Sequence, residues 1–208
     1  TGYDASIGGA DVITPSKIEG YPVTVIGEQA FCENTDIYYV CIPNGVTSIE
    51  YKAFYDSSLA KIHIPNGVTY IGQAAFQECR NLVTINIPST VTYIGPGCFG
   101  YCMNLKTIDL PEGLTEICDA TFLYCSKLET VDIPSTVTSI GGRAFNACFL
   151  LSNITIPQGV TFIGDNAFMW ARAMTEINLP NSVTTLDDFA LADLSDNITE
   201  IVIPDSVT

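Results

Sequence analysis

Lysine and arginine are scarce in this chain: 8 of 208 residues, against 23 aspartates and glutamates, for a formal charge of −15. A surface that acidic repels phosphate backbones and anionic lipid headgroups, which disfavours nucleic acid and membrane surfaces as partners and leaves basic proteins or cations. Charged residues of both signs make up only 15% of the chain and apolar ones 47%, a balance that excludes a disordered polymer. No apolar run approaches the roughly 20 residues that span a bilayer. Thr1 to Ala10 carry neither the basic nor the apolar part of a signal peptide, so any secretion signal is expected upstream. The chain stops in mid-pattern at Pro204-Asp205-Ser206-Val207-Thr208 and reads as an excerpt of something longer. Phosphate loops, nucleophile elbows and zinc-type CxxC pairs are all missing.

What the sequence has is a beat. Pro43, Pro65, Pro88, Pro111, Pro134, Pro157, Pro180 and Pro204 follow one another at intervals of 22 to 24 residues. Phe31, Phe54, Phe76, Phe99, Phe122, Phe145 and Phe168 keep the same time, with Leu191 in the next slot. In shorthand the unit is LxxIxIPxxVTxIGxxAFxxC. Recurrence of several columns together marks a repeat architecture.

Each column has a physical reading. Thr84-Ile85-Asn86-Ile87 alternates polar and apolar, as a strand with one buried face does. Lys61-Ile62-His63-Ile64, Thr107-Ile108-Asp109-Leu110, Thr130-Val131-Asp132-Ile133 and Glu176-Ile177-Asn178-Leu179 are its equivalents. Proline then ends the strand, since it cannot donate to a ladder. Val-Thr-x-Ile-Gly reads as a second short strand closed by a glycine free to take positive φ, and Ala-Phe-x-x-Cys as one helical or 3₁₀ turn. A lone unit cannot bury its apolar face, so the units must stack into a solenoid.

The pattern LxxIxIP…VTxIGxxAFxxC resembles the BspA-like class of leucine-rich repeats over about residues 21–208. The resemblance implies a mostly β, α/β-type repeat fold: a right-handed solenoid with a parallel concave sheet and short second strands. The expected organisation is a capping segment at 1–22, then about eight stacked repeats of 22–24 residues over 23–208, truncated at the C-terminus. The resemblance also implies a secreted or cell-surface, non-catalytic adhesion module that binds host or matrix protein on its concave sheet. A structural spacer, or the targeting arm of a larger surface enzyme, is the alternative. No cofactor is implied.

Exposed strand positions are the expected partner-binding residues: Tyr39, Lys61, His63, Thr84, Asn86, Asp109, Asp132, Thr155, Glu176 and Asn178. His63 shares a column with Cys41, so a Cys–His pair is conceivable, although a solvated strand residue is the commoner outcome. Asp109 and Asp132 fall side by side. They read as a plain exposed face, with weak cation binding or a glycosidase-like carboxylate pair as rarer alternatives. Tyr70, Tyr93 and Phe162 on the second strand form a secondary surface. Thr47, Thr69, Thr92, Thr115, Thr138, Thr161 and Thr184 make one hydroxyl rank, read as cross-strand pairing rather than an ice-binding array. Cys79, Cys102, Cys125 and Cys148 recur three residues after the phenylalanine. Stacking points their Cβ vectors the same way, which suits buried thiols acting as small apolar filler better than disulfides or a metal. The two Asn-x-Thr matches, at Asn153 and Asn197, overlap strand positions.

Overall fold

The computed structural model describes residues 10–208. Thr1 to Gly9, the start of the expected capping segment, lie outside them.

Each coil through Phe162–Ile163 contributes one longer and one two-residue strand, the next contributes only Thr185–Leu186, and all the stacked strands pair in parallel. The longer strands form two ladders. Ala10–Ile13, Ile37–Cys41 and Lys61–His63 make the first; Thr84–Asn86, Thr107–Asp109, Thr130–Asp132 and Asn153–Thr155 make the second. The two-residue strands likewise divide into a group from Val25–Ile26 to Tyr93–Ile94 and a group from Glu116–Ile117 to Thr185–Leu186. Apart from a bulge between Ala10 and Asp11, register is unslipped, Ile108 facing Ile85 on one side and Val131 on the other. The alternation of polar and apolar residues sets it: a slip of one residue would turn every isoleucine to solvent. An antiparallel pair, Lys17–Ile18 with Tyr21–Pro22, lies between Ala10–Ile13 and Val25–Ile26. The chain is a mostly β solenoid of stacked parallel strands.

The core is a spine of identical side chains. Rings of Phe31, Phe54, Phe76, Phe99, Phe122, Phe145 and Phe168 stack in one unbroken file, neighbouring centroids 5.0 to 5.7 Å apart. From Phe54 onward each ring is fully buried. Burying such a side chain is worth about 1.5–3 kcal/mol, and an aromatic neighbour adds about 0.5–1.5.

Three expectations need correction. The Ala-Phe-x-x-Cys stretch is neither α-helical nor 3₁₀, because residues two before and two after each phenylalanine lie in the left-handed region. Around Phe76 these are Ala74 (φ 56°) and Glu78 (φ 63°); around Phe122, Ala120 (φ 55°) and Tyr124 (φ 59°). Helix needs consecutive right-handed residues, and here alternate N–H groups point different ways. Those of Ala75, Gln77 and Cys79 close turns onto Gly72, Ala74 and Phe76, while those of Ala74, Phe76 and Glu78 donate to Pro96, Cys98 and Gly100 of the next coil. The segment is a run of turns stitched to its neighbour.

The glycine after the second strand serves close approach rather than positive φ. A Cβ on Gly72 would sit 2.9 Å from the Glu50 and Tyr51 backbone, and one on Gly95 2.5 Å from the Gln73 nitrogen. Coils touch there backbone to backbone.

Residues 176–179 form no strand. Ile177 is still buried, and the Thr175 N–H still donates to the Ser152 oxygen, but the ladder stops at Asn153–Thr155. The following unit carries the extra residue before Ile201 and forms no strand either, so 176–179 has no paired strand on its outer side.

Candidate functional site

Along the longer strands, inward isoleucine and valine alternate with two outward columns. One runs Tyr39, Lys61, Thr84, Thr107, Thr130, Asn153; the other runs Cys41, His63, Asn86, Asp109, Asp132, Thr155. Within each ladder the members are direct partners. Lys61, His63, Thr84, Asn86, Asp109, Asp132 and Thr155 are exposed, and Tyr39 is half-buried. Lys61 and Thr84, like His63 and Asn86, sit on adjacent strands across the break between the ladders. Glu176 and Asn178 are exposed beyond the last paired strand, so the structure does not bring them into the sheet.

This face is chemically uncommitted. Among the described residues the only ion pairs are Arg80 with Glu78 and Arg143 with Asp165, both elsewhere. Asp109 and Asp132 therefore lie side by side with no cation to offset them. One hydrogen bond joins side chains at its margin, from Thr175 Oγ1 to Asn153 Oδ1 at 3.3 Å.

The other sheet differs sharply. The hydroxyls of Thr47, Thr69, Thr92, Thr138, Thr161 and Thr184 each donate to the carbonyl of the threonine one coil earlier, at 3.2–3.4 Å. The rank pairs hydroxyl to backbone rather than hydroxyl to hydroxyl, and every one of its members but Thr115 donates. Tyr70 and Tyr93 stack at 5.2 Å on that sheet. Phe162 is not with them: Glu116 and Ser139 intervene, and it pairs within the other two-residue-strand group. Burial pushes the Tyr93 phenol up to about 12, reinforced by Cys118 and the neighbouring Tyr70 and Glu116.

Catalytic readings gain nothing from the geometry. Cys41 and His63 are register partners, but no hydrogen bond between their side chains is present among the described residues. The Cys41 thiol instead holds the Tyr39 phenol above its ordinary range, ahead of burial and of Asp11. No group of three or more His, Cys, Asp or Glu side chains comes close enough to share a metal ion among the described residues. Asp109 and Asp132 offer a cation two ligands on an open sheet, where hard cations such as calcium take six or more oxygens.

All eight cysteines are free thiols. The file Cys79, Cys102, Cys125, Cys148 does more than fill space: each Sγ donates to the carbonyl of the phenylalanine in the preceding coil, at 3.0–3.2 Å.

One feature escaped the sequence reading. Tyr101, Tyr124 and Trp170 share the column two residues after the phenylalanine. Tyr101 and Tyr124 stack at 5.5 Å, and Phe149 meets Tyr124 edge-on at 5.5 Å. Leu150 (47% exposed) and Trp170 (36%) complete an aromatic ledge on the turn side of the coil. Reading that column downward, as the phenylalanine column was read, would have found it.

The family model described as BspA type leucine rich repeat region matches the chain in six copies, over residues 14–129 and 96–208. A leucine-rich repeat protein of T. pallidum is 30% identical, with a TM-score of 0.76 over 80% of this chain and 78% of that one. A second, from Eubacterium ventriosum, is 27% identical at TM-score 0.70 over 91% of this chain and 47% of its own. A third, from Bacteroides ovatus, is 28% identical at TM-score 0.65 over 85% and 53%. The chain thus spans about half the length of the latter two. Among curated proteins none matches.

Proposed function

Because the chain belongs to the BspA-type leucine-rich-repeat family, whose repeats generally serve protein interaction, we propose that it is a non-catalytic binding module for another protein. Its partner docks across the outward columns of the longer-strand sheet, with Tyr39, Lys61, His63, Thr84, Asn86, Asp109, Asp132 and Thr155 as contacts. Glu176 and Asn178 extend the surface at its far end. The setting is a cell surface or secretion, as the family resemblance implies, and the biological task is adhesion to host or matrix protein.

One observation carries this reading. The solenoid has two strand faces, and outward side chains of the longer strands make few internal contacts, Thr175 to Asn153 at the margin and Cys41 beside Tyr39. Threonine hydroxyls just before the two-residue strands donate instead to backbone carbonyls. Asp109 and Asp132 lie adjacent with no cation between them. Like charges directly opposite destabilise a sheet, so retaining them costs stability that a partner can offset. The differing side chains down the two columns also suit a frame that varies its surface while fixing its core.

The test is a charge reversal, Asp109→Lys with Asp132→Lys, read against a panel of immobilised extracellular-matrix proteins. Wild type binds at least one member, and the variant binds it at least about tenfold more weakly with an unchanged melting temperature. Equal binding by both forms would move the site off this face, and binding to no member would remove matrix adhesion from the reading.

A further inference from the structure

We propose that the aromatic ledge of Tyr101, Tyr124, Phe149, Leu150 and Trp170 is a second interaction surface, taking a basic polypeptide segment whose arginine or lysine side chains lie against the rings. It is separate from the sheet-face reading, and neither depends on the other.

The backbone makes this column an unlikely home for large rings. Tyr101, Tyr124 and Trp170 have φ of 61°, 59° and 66°, a region in which bulky residues are outliers and glycine, asparagine or aspartate are at ease. Other members of the column are small or acidic: Asp56, Glu78, Ala147, Asp193. Ala147 shows that the fold tolerates a methyl there. The rings add little to the core, since the phenylalanine file already fills it, and they place apolar area at the surface.

Charge selects the occupant. At −15 the chain repels a second copy of itself and any polyanion. The ledge runs between two open, acid-lined recesses. One, of ≈ 470 Å³, has Glu33, Asp56 and Glu78 on its wall; the other, of ≈ 530 Å³, has Asp193 and Asp196. Of the cations bordering it, Arg80 is held by Glu78 at 2.7 Å and Lys127 by Asn104 at 2.7 Å, leaving Arg172. Carboxylates outnumber them. The required contact already exists within the chain: Lys52 Nζ stands 4.4 Å above the centroid of Tyr55, whose hydroxyl donates to Glu78 of the ledge column. Cations are drawn to ring faces in this geometry, and recesses on either side give flanking basic residues a carboxylate each.

The experiment uses fluorescence anisotropy with three probes: a labelled 15-residue peptide of repeating Arg-Ala-Leu, its Glu-Ala-Leu counterpart, and neutral chitohexaose. The variant Tyr124→Ala/Trp170→Ala leaves net charge untouched, so general attraction between an acidic protein and a basic peptide cancels in the comparison. Tyr124→Leu/Trp170→Leu keeps the bulk should the alanine pair fail to fold, and Tyr21→Ala, exposed in the antiparallel pair, is the aromatic control. The proposal expects the arginine peptide to bind wild type, to lose at least about tenfold with either ledge variant, and to change less than about twofold with Tyr21→Ala. Equal loss in ledge variant and control, no loss in either, or a preference for the acidic peptide or chitohexaose overturns it.

Discussion

The thiol of Cys102 donates a hydrogen bond to the main-chain oxygen of Phe76, one coil earlier, at 3.1 Å. That oxygen already closes its own turn by accepting from Cys102's counterpart, the Cys79 N–H, so the sulfur fills a second lone pair with a donor small enough for a dry interior. Burial in turn pushes these thiols up: Cys79 to about 12, and Cys102 and Cys125 well above the ordinary thiol range.

Two outcomes follow for cysteine chemistry. Native protein treated with a thiol reagent at pH 8 modifies only the half-buried Cys32 and Cys41, and all eight react in denaturant, since the thiolate is the reactive form. Folding also becomes pH-dependent in the alkaline range. A thiol whose folded pKa exceeds its unfolded value keeps its proton when folded, so its contribution is whole below about pH 9 and is lost as pH climbs toward 12. Replacing Cys79 by serine, as Ser57 stands in the same file, flattens the decline of unfolding free energy between pH 9 and 11 by about 1.4 kcal/mol per pH unit. An identical slope in both proteins would show that the thiol does not ionise on unfolding.

Ala74 and Ala75 are neighbours with opposite backbone demands. Ala74 lies at φ 56° and Ala75 does not. Glycine relieves a left-handed alanine by about 1 kcal/mol and loosens the unfolded chain by nearly as much. Both methyls are buried, so Ala74→Gly, relieved of its left-handed strain, is expected to cost about 1 kcal/mol less than Ala75→Gly. Chemical denaturation of both variants measures the contrast, and equal losses would mean the turn run is not what holds those angles.

Asp109 and Asp132 face each other across the ladder. Neutralising one with Asp132→Asn removes the like-charge contact and raises the melting temperature by about 1–2 °C at low salt, with less gain at high salt. A fall in melting temperature would show that the carboxylate has a stabilising partner.

Much of this was legible in the sequence because a repeat states its geometry many times. The proline and phenylalanine columns foretold stacking, and period-2 alternation put Asp109 beside Asp132 and Cys41 beside His63 in the register observed. Less legible was anything set by contact between coils. Most of the left-handed positions around the phenylalanines hold residues such as alanine, glutamate, tyrosine and tryptophan, which carry no sign of positive φ, so the turn run passed for a helical turn. Gly72 and Gly95 looked like φ-permissive residues because the backbone pressing on them belongs to another repeat. Residues 176–179 match the strand pattern but depend on a neighbour that forms no strand. The ledge was overlooked for a simpler reason: Tyr101, Tyr124 and Trp170 fall in a column outside the strands.

The central claim is a division of labour, the threonine rank adding side-chain bonds between coils and the outward columns of the longer strands left to bind. A crossed pair of variants tests it most directly. Thr92→Val with Thr138→Val removes two hydroxyls that donate to backbone, and Asp109→Lys with Asp132→Lys alters the free face; melting temperature and affinity for the matrix protein that wild type binds are measured on each. The account predicts that the threonine variant melts several degrees lower yet binds as wild type, and that the aspartate variant binds at least about tenfold more weakly yet melts as wild type. Binding lost with the threonines and kept without the aspartates would contradict it.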